Sequence, residues 1–178
     1  MKFVATEVGG AFVVEADRFD DARGFFARTF DEAEFRSHGL CDRFVTSSVA
    51  WNRVAGTVRG LHWQHSPHAE IKLVRCTAGG ILDVCVDLRP DSPSYLSHAA
   101  VELSAGDHRS LYVPEGCAHG YQTLTDNAEV LYLISAAYAP ESAGGARFDD
   151  PAFGIRWPLA VSRIHERDRT YPDFVAVR

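Results

Sequence analysis

Short strand-forming segments recur roughly every eight to twelve residues through the middle of this 178-residue chain. Each segment is rich in branched or aromatic residues, and glycine, proline, asparagine or aspartate lies between one segment and the next. This spacing is typical of antiparallel sandwiches and jelly rolls, so the sequence predicts an all-β fold. The predicted strands span residues 44–51, 57–62, 70–77, 81–88, 98–103, 110–113, 120–124 and 128–136.

The clearest strand signals lie on either side of an Ala-Gly-Gly turn at 78–80. A turn of this kind between two apolar runs predicts that the two strands pair as a β-hairpin. In the second run, the even-numbered positions from Leu82 to Leu88 are all apolar, and they alternate with positions that include Asp83 and Asp87. This period of two predicts a strand with one buried face.

The N-terminal part of the chain contains the best helix signal. Residues 1–15 predict a hairpin or edge strands, and a turn at 20–24 precedes a short strand at 25–30. The helix is predicted at 31–38, where Asp31 can supply the N-cap. A helix this short is expected to cover one end of a barrel.

The last forty residues, from about Tyr138, hold four of the eight prolines and show little periodicity. We expect this segment to be a tail that wraps the barrel and contains one or two helical turns. The sequence shows neither repeats nor a linker, so residues 1–178 are expected to form a single jelly-roll domain.

Composition excludes several classes of function. A net charge of -6 argues against affinity for nucleic acid or for an anionic membrane, which requires clustered basic charge. The sequence has neither an apolar run of about 18 residues nor an N-terminal signal peptide, so we expect a cytoplasmic protein without a membrane span. The four cysteines are widely scattered, and a structural disulfide is not expected in that compartment.

Side chains capable of chemistry are concentrated in residues 59–75. This segment contains three histidines, two arginines, one lysine and one glutamate among strand-forming residues. A general base, a cation that holds a developing oxyanion and a cation that binds phosphate could all come from it.

A metal centre is one hypothesis for these residues. Cupin-type barrels bind a metal through two or three histidines and a glutamate drawn from two motifs, and His62, His65, His68, Glu70 and His119 have that two-motif layout. On a strand, however, only residues two apart share a face, so the side chains of His62 and His65 are expected to point in opposite directions. A metal site would therefore need a bend in the chain there.

Proton transfer next to a carbonyl is the other hypothesis. It uses His62 as a base oriented by the carboxylate of Asp168, with Lys72 holding an enolate oxygen. Tyr132 alternates with Val130 and Ile134 and is expected to face the interior, where its hydroxyl could return a proton. Arg23, Arg59 and His119 are the candidate binding residues. Spacing alone does not assemble these residues into one site.

A series of short motifs decides between the two hypotheses. The motifs are Asp21-Ala22-Arg23-Gly24-Phe25-Phe26, Arg59-Gly60-Leu61-His62, Lys72-Leu73-Val74-Arg75, Asp83-Val84-x-Val86-Asp87-Leu88-Arg89, Pro114-Glu115-Gly116-x-Ala118-His119-Gly120, Leu131-Tyr132, Tyr138-Ala139-Pro140, Asp149-Asp150-Pro151 and Trp157-Pro158. Together they resemble the dTDP-4-dehydrorhamnose 3,5-epimerase family, in order and over nearly the whole chain. Linked motifs at matching separations are far more specific than any one of them.

The resemblance implies a cupin-type jelly-roll barrel that forms a homodimer and uses neither a metal nor another cofactor. The implied substrate is a nucleotide-diphosphate-linked 4-keto-6-deoxy sugar of deoxysugar or rhamnose biosynthesis. By the same resemblance, His62 is the base and pairs with Asp168, Lys72 stabilises the enolate, and Tyr132 is the acid on the opposite face of the sugar ring.

The resemblance also implies a set of substrate-binding residues. They are Arg23, Phe26, Arg59, His119, Tyr138 and Arg167. Arg23 and Arg59 match the arginines that bind the diphosphate, and His119 lies in the pocket. Phe26 and Tyr138 match positions around the nucleotide or the sugar.

Several positions depart from the family pattern. Thr46-Ser47-Ser48 stands where Gln-Asp-Asn is usual, and Arg28 stands where glutamate is common; both changes concern the nucleotide pocket. Glu70 and His165 replace glutamine and serine beside the catalytic groups, and Leu133 replaces a lysine. These departures leave dTDP-, CDP- and GDP-sugars open as substrates, and inversion at C3, at C5 or at both.

A third hypothesis belongs to another class of protein. A non-catalytic sugar-nucleotide-binding protein could retain the fold and would bind its ligand without exchanging a proton. The presence of all four expected catalytic residues favours the enzyme.

Overall fold

The computed structural model describes residues 1–176, whose regular secondary structure is mostly β-strand. The strands are β1 (Lys2–Ala5), β2 (Phe12–Glu15), β3 (Arg18–Asp21), β4 (Gly24–Ala27), β5 (Thr46–Asn52), β6 (Thr57–Gln64), β7 (Lys72–Ala78), β8 (Gly80–Asp87), β9 (His98–Ser104), β10 (Arg109–Val113), β11 (Cys117–Thr123), β12 (Ala128–Ile134), β13 (Ala143–Gly145) and β14 (Arg163–Ile164). The helices are α1 (Glu32–Ser37) and α2 (Glu166–Thr170), and a 3₁₀ turn spans Pro140–Ser142. The eight strands predicted in the middle of the chain are present as β5 to β12.

Two sheets pack face to face. The first has the order β1-β2-β10-β7-β12-β5, and the second has the order β13-β6-β11-β8-β9, with β14 beside β6. Strand pairing in both is antiparallel except for the short parallel contact between β14 and β6. The core between the sheets contains Val74, Leu111 and Val130 from the first and Ile81 and Cys85 from the second. The structure confirms the predicted all-β, antiparallel jelly roll.

The predicted hairpin of β7 and β8 is wrong. Both strands form, but β7 pairs with β10 and β12 in the first sheet, whereas β8 pairs with β9 and β11 in the second. The turn between them therefore carries the chain from one sheet to the other. Gly79, with a φ of +70°, allows this close turn, because a Cβ there would lie 2.3 Å from Oγ1 of Thr125.

The prediction that β8 has one buried face is also wrong, because both of its faces are buried. Ile81 and Cys85 point into the core between the sheets. Leu82, Val84 and Val86 point outward, but the segment after Tyr138 covers them with a second apolar cluster that includes residues such as Ala146 and Phe153. An alternating sequence pattern distinguishes the two faces of a strand, but it does not show whether a later segment of the chain covers the outer face.

The predicted helix is present as α1, and the side chain of its N-cap, Asp31, accepts a hydrogen bond from the backbone N–H of Glu34. The expectation that it covers a barrel end is wrong. Phe35 packs with Leu73 and Tyr112 on the outer face of the first sheet, because these strands present apolar side chains on both faces. Within residues 1–176, neither α1 nor any other helix is long and apolar enough to cross a membrane.

Strands β6 and β11 approach each other closely, and this contact shapes the site. Gly60 has a φ of +112°, and a Cβ at this position would lie 2.5 Å from the Cα of Gly120 on β11. The pairing register also shifts between His119 and Tyr121. On one side of this shift, His62 and His119 are direct partners across the two strands.

Candidate active site

A cavity of about 620 Å³ is lined by strands of both sheets and by the C-terminal segment. Eight of the ten predicted site residues line it, and they come from six parts of the chain. These residues are Arg59, His62, Lys72, His119, Tyr132, Tyr138, Arg167 and Asp168. The fold therefore brings most of the predicted set together, with the exposed ring of Tyr138 among the lining residues.

His62 and Asp168 form a dyad on the wall of the cavity. Nε2 of His62 lies 2.7 Å from Oδ1 of Asp168, and the backbone N–H of Gly60 donates to Oδ2 at 3.2 Å. Asp168 lies in α2 and is only 2% exposed. Burial alone would raise the pKa of this carboxyl, but the hydrogen bond and charge of His62, with the Gly60 N–H, outweigh burial and lower the pKa. Asp168 is therefore ionised and can orient the imidazole.

Lys72 projects into the same cavity from β7. Its Nζ lies 2.9 Å from Oε1 of Glu70 and 3.3 Å from the carbonyl oxygen of His62, to which it donates. The side chains of Lys72 and Glu70 are both almost completely buried. The sequence pattern presented Glu70 as a candidate metal ligand, whereas in the structure it is the partner of the lysine.

Tyr132 lines the cavity from β12, in the sheet opposite that of His62. Burial and the neighbouring hydroxyl of Tyr121 raise the pKa of Tyr132 well above its ordinary value. The phenol is therefore protonated at neutral pH and can donate a proton. The ring of His119 is close to both tyrosines, with centroid distances of 5.9 Å to Tyr132 and 6.5 Å to Tyr121.

His119 forms a second, deeper pair with Asp83. Its Nε2 lies 2.7 Å from Oδ1 of Asp83, and both side chains are buried. The other oxygen of Asp83 is also buried and has no hydrogen-bond partner within residues 1–176. Asp83 was not among the predicted site residues, although an acid in an otherwise apolar, buried strand was a signal for it.

Positive charge is concentrated on one side of the cavity. Arg59, Arg163 and Arg167 line it, and Nη2 of Arg167 lies 3.3 Å from Nε2 of His62. Nε of Arg59 donates to Oδ1 of Asn52 at 2.8 Å, which fixes the position of its guanidinium. Guanidinium groups are well suited to bind a diphosphate.

Arg23 and Phe26 lie outside this cavity. Both are in the hairpin of β3 and β4, where Arg23 forms an exposed ion pair with Asp21 at 2.6 Å. The side chain of Arg23 is 90% exposed and Phe26 is 64% exposed. Within one chain, therefore, these two predicted binding residues do not line the cavity with the other eight predicted site residues.

The metal-binding set does not come together. Nε2 of His65 accepts a hydrogen bond from Nε1 of Trp63, and Nδ1 of His68 lies 2.9 Å from Oγ of Ser142. Only His62, Glu70 and His119 of the five candidates line the cavity. Across residues 1–176, no three histidine, cysteine, aspartate or glutamate side chains form a group able to hold a metal ion.

Residues 5–176 match the family model described as dTDP-4-dehydrorhamnose 3,5-epimerase. This chain belongs to the dTDP-4-dehydrorhamnose 3,5-epimerase family. An epimerase of this name from Methanothermobacter thermautotrophicus is 40% identical over 173 residues, which are 96% of this chain and 92% of that protein. The predicted family, and with it the prediction of an isomerase, is confirmed.

Solved structures of the epimerase family have the same fold. The dTDP-4-dehydrorhamnose 3,5-epimerase from Elizabethkingia anophelis superposes with a TM-score of 0.94 at 35% identity, covering 98% of this chain and 96% of that chain. The Bacillus anthracis epimerase, solved with TDP and PPi bound, has a TM-score of 0.93 at 36% identity and covers 97% and 99%. The cupin-type jelly roll predicted for this epimerase is therefore that of its relatives.

Proposed function

We propose that this protein inverts C3, C5 or both in a nucleotide-diphosphate-linked 4-keto-6-deoxy sugar, in deoxysugar or rhamnose biosynthesis. One observation supports this most strongly: an imidazole–carboxylate dyad, a buried ammonium and a protonated phenol all line one cavity. Inversion next to a ketone requires a base on one ring face, an acid on the other and a cation for the enolate oxygen.

His62 removes the proton from the carbon next to the ketone. The ionised carboxylate of Asp168 holds the imidazole in position and stabilises the imidazolium that forms. Proton transfer by a positioned side chain typically accelerates a reaction about 10²–10⁴-fold. The electron pair of the broken C–H bond moves toward the carbonyl carbon and produces an enolate.

Lys72 stabilises the enolate oxygen. Its ammonium is nearly buried, where water screens its charge only weakly. Glu70 and the carbonyl oxygen of His62 hold the ammonium on the cavity wall, and the ketone oxygen of the substrate approaches the remaining N–H of Lys72. The enolate then collapses to the ketone as Tyr132, from the opposite sheet, delivers a proton to the other face of the carbon.

The diphosphate binds to Arg59 and Arg167, two of the three arginines that line the cavity. The TDP and PPi in the Bacillus anthracis relative support dTDP as the nucleotide. Thr46 and Ser48, which stand where the family pattern has two amide-bearing residues, also line the cavity. CDP- and GDP-linked sugars are therefore the comparison substrates for any test.

The protein works as a homodimer in which each chain completes the site of the other. β5 is an edge of the first sheet, and Val45, Val49 and Trp51 on or beside it are at least half exposed. A second copy that covers this edge would bring its exposed hairpin, with the partner's Arg23 and the partner's Phe26, to the cavity. The two predicted binding residues that lie outside the cavity of their own chain support this arrangement.

Subunit complementation tests the dimer. Arg23→Ala and His62→Asn chains should each be poorly active alone, and a mixed dimer should regain activity, because one of its two sites has an intact His62 and an intact hairpin from the partner. Light scattering gives the mass of each species. A monomer in solution, or mixed dimers no more active than the parents, would contradict shared sites.

We also propose that residues 1–178 form one domain and that the protein is cytoplasmic and has neither nucleic acid nor a membrane as a partner. The four free cysteines are compatible with a reducing compartment. The net charge of -6 is unfavourable for binding nucleic acid.

Proton NMR in D₂O tests the proposed reaction. The wild-type protein is incubated with dTDP-, CDP- and GDP-linked 4-keto-6-deoxy sugars, and deuterium at C3 and C5 is read together with product configuration. We expect label and inversion with the dTDP-sugar, unchanged after treatment with EDTA. Binding without label would identify the non-catalytic protein, and activity lost to EDTA and restored by a metal would favour the metal-dependent cupin.

A further inference from the structure

Tyr138 lies on the segment that carries the chain from the first sheet to the second. β12 of the first sheet ends at Ile134, and β13 of the second begins at Ala143, so Tyr138 belongs to neither sheet. Its side chain is 70% exposed and lines the cavity. An exposed ring contributes most to binding when the backbone that carries it is already held, because less conformational freedom is then lost as the ligand binds.

Gln64 holds the backbone on both sides of Tyr138. Its Oε1 accepts a hydrogen bond from the backbone N–H of Ala139 at 2.6 Å, and its Nε2 donates to the carbonyl oxygen of Ala137 at 3.1 Å. The C=O that precedes a residue and the N–H that follows it are the two groups that a neighbouring parallel strand would bind. The side-chain amide of Gln64 therefore holds Tyr138 as an adjacent strand would.

The amide of Gln64 has no N–H left for a ligand. The second N–H of its Nε2 donates to the carbonyl oxygen of His68 at 2.9 Å, and an amide nitrogen carries only two donors. Gln64 is 4% exposed, although it is one of the residues that line the cavity. The donors of this side chain therefore hold the protein backbone and are not available to the substrate.

We propose that Gln64 is a positioning residue that fixes Tyr138 at the cavity for the bound sugar nucleotide. This inference rests on the proposed function, with Tyr138 as a substrate-binding residue. Gln64 stands two residues after His62 on β6, and side chains two apart on a strand share a face. One strand therefore carries both the base and the group that holds Tyr138, so the ring is placed relative to the carbon that loses its proton.

Gln64→Met keeps the length of the side chain and removes its hydrogen bonds. With the 4-keto sugar nucleotide that the wild type converts, KM should rise about three- to tenfold, which corresponds to one aromatic contact. The value of kcat should stay within about twofold of wild type, because the dyad of His62 and Asp168 is intact. Steady-state kinetics gives both values.

Gln122→Met is the matched control. Gln122 is also a buried glutamine, and its amide accepts from the backbone N–H of Leu159 at 2.9 Å and donates to the carbonyl oxygen of Leu159 at 2.8 Å. It does not line the cavity. Gln122→Met loses comparable hydrogen bonds and should keep the wild-type KM. A rise in KM as large as that in Gln64→Met would overturn the proposal.

Tyr138→Ala distinguishes an effect through Tyr138 from a general loss of structure. If Gln64 acts through Tyr138, Gln64→Met should change KM less than about twofold once residue 138 is alanine. A wild-type KM in Gln64→Met, an equal rise in both backgrounds, or a large fall in kcat would overturn the proposal. Each of these results would leave the proposed function intact, since the wild-type enzyme remains active.

A second measurement needs no substrate. ¹⁵N relaxation gives the order parameter of the Tyr138 backbone N–H, which should be about 0.85 in wild type and below about 0.6 in Gln64→Met, but unchanged in Gln122→Met. Gln64→Glu, which keeps the acceptor for Ala139 and loses the donors, replaces Gln64→Met in both experiments if the methionine variant does not fold. An unchanged order parameter in the Gln64 variant would overturn the proposal even if the protein proved to have no epimerase activity.

Discussion

Oδ1 of Asp168 lies 2.7 Å from Nε2 of His62, although the two positions are 106 residues apart in the chain. The contact exists because β14 and the helix α2 return the C-terminal segment to the edge of β6. Gly60 approaches Gly120 too closely to tolerate a side chain, and its backbone N–H donates to the second carboxylate oxygen of Asp168. The backbone thus positions both members of the dyad: β6 carries His62 and the Gly60 N–H, and α2 carries Asp168.

Removal of the imidazole should abolish proton abstraction. His62→Asn is expected to lower the rate of deuterium incorporation into the 4-keto sugar roughly 10²–10⁴-fold, because an amide cannot act as the base. Asp168→Asn should lower it by less, since the imidazole remains. His68→Asn is the control, because His68 lies outside the cavity and contacts Ser142. Undiminished exchange in His62→Asn would exclude His62 as the base.

Lys72→Met should affect kcat much more than KM. The ammonium interacts with an oxygen whose charge develops in the transition state, so its loss should lower kcat about 10²–10³-fold. Lys2, the other lysine of the chain, is exposed and pairs with Glu15, and Lys2→Met is the control. Steady-state kinetics distinguishes the outcomes: a raised KM with unchanged kcat would show that Lys72 only binds the substrate.

Asp87 should make stability depend on pH. Burial alone would raise the pKa of its carboxyl, but hydrogen bonds from Arg89, Ser92 and Ser94 outweigh burial and hold the pKa well below its usual range. The stabilisation is therefore complete above the pKa of an unfolded carboxyl, about 4, and is lost as the pH falls toward the folded-state pKa.

Asp87→Asn should accordingly lower the melting temperature at pH 7, and the difference from wild type should shrink as the pH falls below about 4. Differential scanning calorimetry across that range gives both values. Asp91→Asn, at an exposed position, serves as the control. A difference between Asp87→Asn and wild type that stays constant with pH would contradict the role of the ionised carboxylate.

Sequence reasoning succeeded where local spacing or residue type was sufficient. Strand-forming segments separated by turn residues predicted the eight central strands, and the family resemblance predicted eight of the side chains that line the cavity. The turn at 78–80 was wrongly predicted to join two paired strands. Turn residues show where the chain reverses, but they do not show which strands then form hydrogen bonds with each other. The pairs Glu70–Lys72 and Asp83–His119 depend on geometry within and between strands, which motifs do not specify.

Product stereochemistry in Tyr132→Phe is the most direct test of acid and base acting from opposite sheets. With dTDP-4-keto-6-deoxyglucose in D₂O, wild type should yield inverted, deuterium-labelled sugar. Tyr132→Phe, which keeps His62 and Lys72, should still incorporate deuterium but return it mainly to the original face, so that label accumulates in sugar of unchanged configuration. Labelled product with the wild-type ratio of inverted to retained sugar would contradict the assignment of Tyr132 as the acid.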